Sequence, residues 1–203
     1  MTRNAARLRR GARVLVPLLG AVTLTAAITT SAAANPAAVV RVGAQVRLAA
    51  LPGETNAVTF SATTGNLIVT DSVSLTAGPG CTTVTANSAD CGPAGTLTSI
   101  RAALGDGNDS AVTTDEVLAS VLLDGGRGQD SIDGGGGNDR LYDSDGWPSA
   151  PTQPSFSGGP GNDVIVALNG GYDNVDCGPG VDTVLADAAS QDVLTDCEVV
   201  QRL

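Results

Sequence analysis

The 203-residue chain contains no histidine and no lysine, and its aromatic side chains are one Trp, two Tyr and two Phe. Without histidine, the Ser/His/Asp and Cys/His arrangements of nucleophilic catalysis cannot be assembled, and zinc loses its commonest nitrogen ligand. The scarcity of aromatics removes the sugar platform expected beside the paired carboxylates of a glycosidase. The expectation is that the protein is not an enzyme. Helical periodicity is missing too, since no apolar segment recurs at three- and four-residue spacing.

Positive charge is scarce. Arginine supplies all eleven basic side chains, against twenty-one Asp and Glu. Five of these, Arg3, Arg7, Arg9, Arg10 and Arg13, precede an almost uncharged run from Val14 to Thr30 that closes on Ala32, Ala33 and Ala34. That order predicts a secretory signal peptide over 1–34, cut near Ala34. An uncleaved membrane anchor is the alternative, disfavoured because Ala- and Thr-rich runs are weakly apolar. Cleavage would leave six arginines against twenty-one acids, a net charge of about −15. Such a surface repels nucleic acid and anionic lipid and attracts cations. An extracellular protein is expected, with no nucleic-acid partner and no membrane association after cleavage.

Cys81, Cys91, Cys177 and Cys197 all follow the signal. An even count in an oxidising compartment predicts disulfides, and among three possible connectivities the local one, Cys81 with Cys91 and Cys177 with Cys197, fits best. No CxxC spacing supports a metal site for them.

Residues 35–103 read as an N-terminal β region. Asn35 to Leu51 alternates Val42, Ala44, Val46 and Leu48 with Gly43, Gln45 and Arg47, which predicts a strand. Short Thr- and Val-rich runs follow between turns at Gly53, Gly65-Asn66, Gly78-Pro79-Gly80 and Gly92-Pro93. In this region Asp71 and Asp90 carry no repeat around them and read as solvated charges, as do Asp115 and Glu116 further on.

From 104 to 203 the composition turns to glycine and aspartate, and one nine-residue sentence recurs. Gly125 to Tyr142 says it twice, GGRGQDSID and GGGGNDRLY, and GGPGNDVIV repeats it from Gly158. Each copy carries glycine at places one, two and four (Gly125, Gly126, Gly128; Gly134, Gly135, Gly137; Gly158, Gly159, Gly161). Aspartate stands at place six (Asp130, Asp139, Asp163) and an aliphatic residue at place eight (Ile132, Leu141, Ile165). Degenerate copies put Asp109, Asp173 and Asp182 at place six, the last two followed by Val175 and Val184. Asp143 to Ser157 interrupts the period and reads as one repeat swollen into a surface loop, with Trp147 and Phe156 as a candidate contact surface. Residues 186–203 read as a C-terminal cap, in which a Cys177–Cys197 bond would staple the tail over the end of the stack. Asp187, Asp192 and Asp196 are assigned to cap and surface.

The pattern resembles RTX, or hemolysin-type, calcium-binding repeats. That resemblance implies an all-β, right-handed parallel β-roll, with the N-terminal β region continuous with it. It implies Ca2+ ions between the turns of successive coils, held by turn carbonyls and by the sixth-place aspartates of both. Two repeats make one coil, so Asp139, Asp163 and Asp182 should line one side and Asp130 and Asp173 the other. Glycine lets the backbone approach an ion, and calcium accepts six to eight oxygen ligands, whereas Mg2+ prefers its own waters. The expected function is secreted calcium binding coupled to folding. The alternative is an extracellular adhesion module that contacts a cell-envelope or protein partner, with calcium structural. A Gly/Asp-rich flexible linker matches the composition but not the fixed spacing.

Overall fold

The computed structural model describes residues 37–143, 155–189 and 191–203. The signal at 1–34 and Trp147 lie outside the described residues. Within them the protein is all-β, two nine-stranded mixed sheets with one short 3-10 turn at Ala94–Thr96. No described helix is long and apolar enough to cross a membrane.

The N-terminal region is made of hairpins. β1 (Ala37–Val42) and β2 (Gln45–Ala49) pair antiparallel. The single strand expected over Asn35 to Leu51 is thus two, because Gly43 turns the chain at φ 61°. The alternation survives the turn: Val39, Val46 and Leu48 are buried while Arg47 points out. β3 (Ala57–Thr63) and β4 (Asn66–Thr70) form a second hairpin in the other sheet, where β4 also pairs antiparallel with β7 (Ser88–Pro93). β5 (Leu75–Ala77) lies beside β1, and β6 (Thr82–Thr85) beside β7. Arg41 ties the two sheets at this end, donating to the carbonyls of Cys91 at 2.5 Å and Pro93 at 3.2 Å and to Thr96 Oγ1 at 2.6 Å.

Beyond Leu97 the rule changes. β8 (Ser99–Ala103), β10 (Ser120–Asp124), β12 (Arg140–Tyr142), β14 (Val164–Ala167), β16 (Thr183–Ala186) and β18 (Val199–Arg202) join the β1 sheet. β9 (Ser110–Thr113), β11 (Ser131–Asp133), β13 (Phe156–Ser157), β15 (Asn174–Asp176) and β17 (Val193–Thr195) join the β3 sheet. Successive strands therefore alternate between the sheets, and each pairs in parallel with the strand two places on, in register: Leu123 with Leu141, Leu141 with Ile165, Ile165 with Val184. Parallel pairs β2–β8 and β3–β9 carry both sheets across from the hairpin region without a break. The stretch Thr113 to Leu123 holds the end of β9, a turn, and most of β10, so it crosses from one sheet to the other.

Buried side chains of both sheets make one core. In the hairpin region it holds Phe60, Leu67 and Val69; in the repeats each short strand adds one large residue, Ile132, Leu141, Ile165, Val175 or Val184. Phe156, expected on an exposed loop, is instead fully buried and pairs with Ile132 on one side and Val175 on the other. It fills the place-eight slot of the interrupted repeat, because burying an aromatic ring in a thin core gains more than exposing it.

Candidate functional site

Each sixth-place aspartate stands immediately before a strand. Asp139, Asp163 and Asp182 precede β12, β14 and β16, and Asp109, Asp130 and Asp173 precede β9, β11 and β15. The structure thus sorts the candidates into two rows, one per sheet, in the division the repeat register predicts. Hydrogen bonds link each row from turn to turn. In the first, Asp163 Oδ1 accepts the Asp139 N–H at 2.8 Å and Asp182 Oδ1 accepts the Asp163 N–H at 2.7 Å. In the second, Asp130 Oδ1 accepts the Asp109 N–H at 2.8 Å and Asp192 Oδ1 the Asp173 N–H at 3.2 Å.

The other carboxylate oxygen has a different fate. Asp109, Asp139, Asp163 and Asp182 are each at most 3% exposed, and their Oδ2 atoms have no hydrogen-bond partner; the fully buried Asp173 has the Asn169 and Ser155 side chains beside it. Burial disfavours the charged form, and neighbouring aspartates add to it. Burial, followed by the charge of Asp163, raises Asp139 to about 7. Burial with Asp182 nearby raises Asp163 to about 6, with Asp192 nearby raises Asp173 to about 6, and with Asp130, Asp71 and Asp106 nearby raises Asp109 to about 6. Asp182 and Asp192 also shift upward, chiefly through burial. Rows of buried carboxylates this close carry a desolvation and repulsion cost that either protons or a cation must offset.

The glycines are where stacked turns touch. A Cβ on Gly128 would overlap the carbonyl oxygen of Gly107, on Gly161 that of Gly137, and on Gly180 that of Gly161. Gly126 and Gly159 stand likewise over the carbonyls of Gly105 and Gly135. These carbonyls point along the stack toward the next turn, so carbonyl and carboxylate oxygens share the gaps between turns. The first-place glycines Gly125, Gly134 and Gly158 make room for the aspartate: a Cβ there would lie 2.5, 2.6 and 2.6 Å from Oδ2 of Asp130, Asp139 and Asp163. Among the described residues no three Asp, Glu, His or Cys side chains converge as a metal cluster. Any cation between turns would therefore rest on two side chains and on backbone oxygens.

Several members of the site carry no repeat signal. Asp192, assigned to cap and surface by sequence, is 2% exposed and extends the second row. Glu198 extends the first, its Oε2 accepting the Asp182 N–H at 2.8 Å. Their position, one residue before an apolar strand, is the only sequence signal they share with the repeat aspartates. Asp71, expected to be solvated, is 4% exposed; it accepts from Asn56 Nδ2 at 2.9 Å and from the Ala57 and Ser72 N–H groups at 3.0 and 2.7 Å. Asp115, Glu116 and Asp196 are exposed, as expected. A further row of fifth-place asparagines runs outside the aspartates: Asn138 Oδ1 accepts from Asn162 N–H at 2.8 Å, and Asn162 Oδ1 from Val181 N–H at 2.9 Å.

Both expected disulfides are present. Cys81–Cys91 ties the segment before β6 to β7, and Cys177–Cys197 ties the end of β15 to the segment between β17 and β18. Two disulfides are compatible with an extracellular protein. No family model matches the chain, and no curated protein and no solved structure shows significant similarity to it.

Proposed function

We propose that this is a secreted calcium-binding protein whose residues 104–203 form a parallel β-roll, each ion lying between the turns of successive coils. The observation that carries the reading is the recurrence, turn after turn, of a buried carboxylate oxygen without a hydrogen-bond donor, in Asp109, Asp139, Asp163 and Asp182. A hard dication with an all-oxygen shell suits that donor set: carboxylates from two turns plus the carbonyls stacked over the glycines. Asp130, one turn from Asp109 in the same row, completes the repeat set. The strict alternation of strands between two sheets, with every pair parallel and in register, supports the roll. Calcium would neutralise the rows and so act as part of the fold, with no catalytic role for the aspartates. The arginine-rich leader and the two disulfides support export. Affinity belongs in the extracellular range, on the order of 0.1 to 1 mM.

Circular dichroism and calorimetry of the full chain, chelated and then titrated with calcium, test this. A gain of β signal accompanied by a heat of binding at millimolar calcium is expected. An unchanged spectrum without heat would sink the proposal.

A further inference from the structure

Residues 51–56, LPGETN, have none of the glycine spacing of the repeats, yet they occupy the place of one more turn. β3 pairs in parallel with β9, Ala57 opposite Ser110, so Asn56 stands where Asp109 stands one turn on. The backbone agrees. A Cβ on Gly107 would overlap the carbonyl oxygen of Glu54, as one on Gly128 would overlap that of Gly107. The Asn56 N–H donates to Asp109 Oδ1 at 2.7 Å, repeating the bond from the Asp109 N–H to Asp130 Oδ1 at 2.8 Å. The Gly53 N–H adds a bond to Asp106 Oδ1 at 2.7 Å.

Asn56 is 1% exposed. Its Nδ2 donates to Asp71 Oδ2, itself a buried carboxylate held by two backbone N–H groups. That bond settles which end of the amide is oxygen. Asn56 Oδ1 has no partner, and neither has Asp109 Oδ2 on the adjoining turn. Two buried oxygens on successive turns thus lack a donor, the condition found between Asp163 and Asp182 inside the repeats. The other row begins differently: Val121 occupies the corresponding place, giving its N–H to Asp139 Oδ1 at 2.7 Å and offering no side-chain oxygen.

We infer that the row of cation sites on the β3 side extends one position beyond the repeats, to a calcium site between turns 51–56 and 104–109, with Asn56 Oδ1, Asp109 Oδ2 and turn carbonyls as ligands. Asp71 is the positioning residue that fixes the Asn56 amide. The inference rests on the calcium reading above. A neutral amide oxygen is a good calcium ligand, but a site with one carboxylate instead of two binds more weakly and fills after the repeat sites.

Crystals of the full chain grown with calcium and with terbium in its place give the direct test. The expected anomalous maps show peaks between the repeat turns and one between Asn56 and Asp109, with none between Val121 and Asp139. Peaks in the repeats alone overturn this inference and leave the proposed function standing; peaks nowhere overturn both. In solution, native mass spectrometry of Asn56→Ala is expected to show one bound calcium fewer than the parent chain, and an equal count contradicts the site. Should that variant fail to fold, Asp71→Asn decides, because it keeps an oxygen for the Ala57 and Ser72 N–H groups and removes the acceptor that orients the Asn56 amide: the calcium midpoint of the weakest site should rise about tenfold. An unchanged midpoint would refute the site.

Discussion

Residues 37–103 and 104–203 share both sheets but solve the problem of burial in different ways. The first half closes hairpins over large apolar side chains, Phe60, Leu67, Val69 and Leu75, and its buried Asp71 is held by four donors. The second half inserts about one large apolar residue per strand and buries an aspartate at nearly every turn. A carboxylate with donors on both oxygens stands without help, whereas rows of half-satisfied ones do not. The comparison teaches that the hairpin half satisfies its buried carboxylate with its own donors, whereas the repeat half leaves a row of carboxylate oxygens that protons or a cation must offset.

Removing calcium should break that comparison most sharply. With chelator at pH 8, amide exchange is expected to lose protection across Ile132, Leu141, Ile165 and Val184, while Val39, Val46 and Val69 keep theirs. Uniform retention would contradict the division. Substitution at the stacked turns comes next. Gly128→Ala places a methyl group into the Gly107 carbonyl at φ 134°, and should cost about 3 kcal/mol in calcium-loaded denaturant melts. Gly95→Ala, with nothing within 4 Å and no positive φ, should change stability by under about 0.5 kcal/mol.

The disulfides divide along the same line. Cys177 and Cys197 lie 20 residues apart in the repeat half, Cys81 and Cys91 lie 10 apart in the hairpin half. Replacing the first pair with alanine should cost about 3 kcal/mol, and the second somewhat less, because the shorter loop loses less chain entropy when cross-linked. Thermal melts of the two double variants check the order.

The last comparison is one of sign with pH. Asp139 at about 7 and Asp109, Asp163 and Asp173 at about 6 are raised above an ordinary carboxylate. A raised carboxylate binds its proton more tightly in the folded chain, so the calcium-free repeat half gains stability as pH falls through 7 to 5 and loses it as pH rises. Calcium needs the same groups ionised, so its affinity should fall over that window. Chelated and calcium-loaded melts at pH 5 and pH 8 should therefore shift in opposite directions; parallel shifts would count against metal ligation by these aspartates.

Much of the site was legible because its residues obey a period. Asp139, Asp163 and Asp182 share one row because the glycine-aspartate turn repeats along the chain, and Ile132, Leu141 and Ile165 face the core because they follow their aspartates by two. Asn56, Asp192 and Glu198 were not legible, since their turns lack the glycines and their membership depends on strand pairing across 53, 19 and 16 residues. Phe156 shows the same limit. Its segment has lost the repeat, yet β11 and β15 leave a buried slot between them that the ring fills.

The sequence alone determined the all-β class, the even set of cysteines and the identity of the repeat aspartates, because alternation, cysteine count and nine-residue spacing are local properties of the chain; which cysteines pair was decided in the fold. Tertiary structure decided where the rows begin and end. The register of β3 on β9 placed an asparagine at the head of one row, and that of β10 on β12 placed Val121 at the head of the other. Those choices are made by hydrogen bonds between strands distant in sequence, and no local pattern records them.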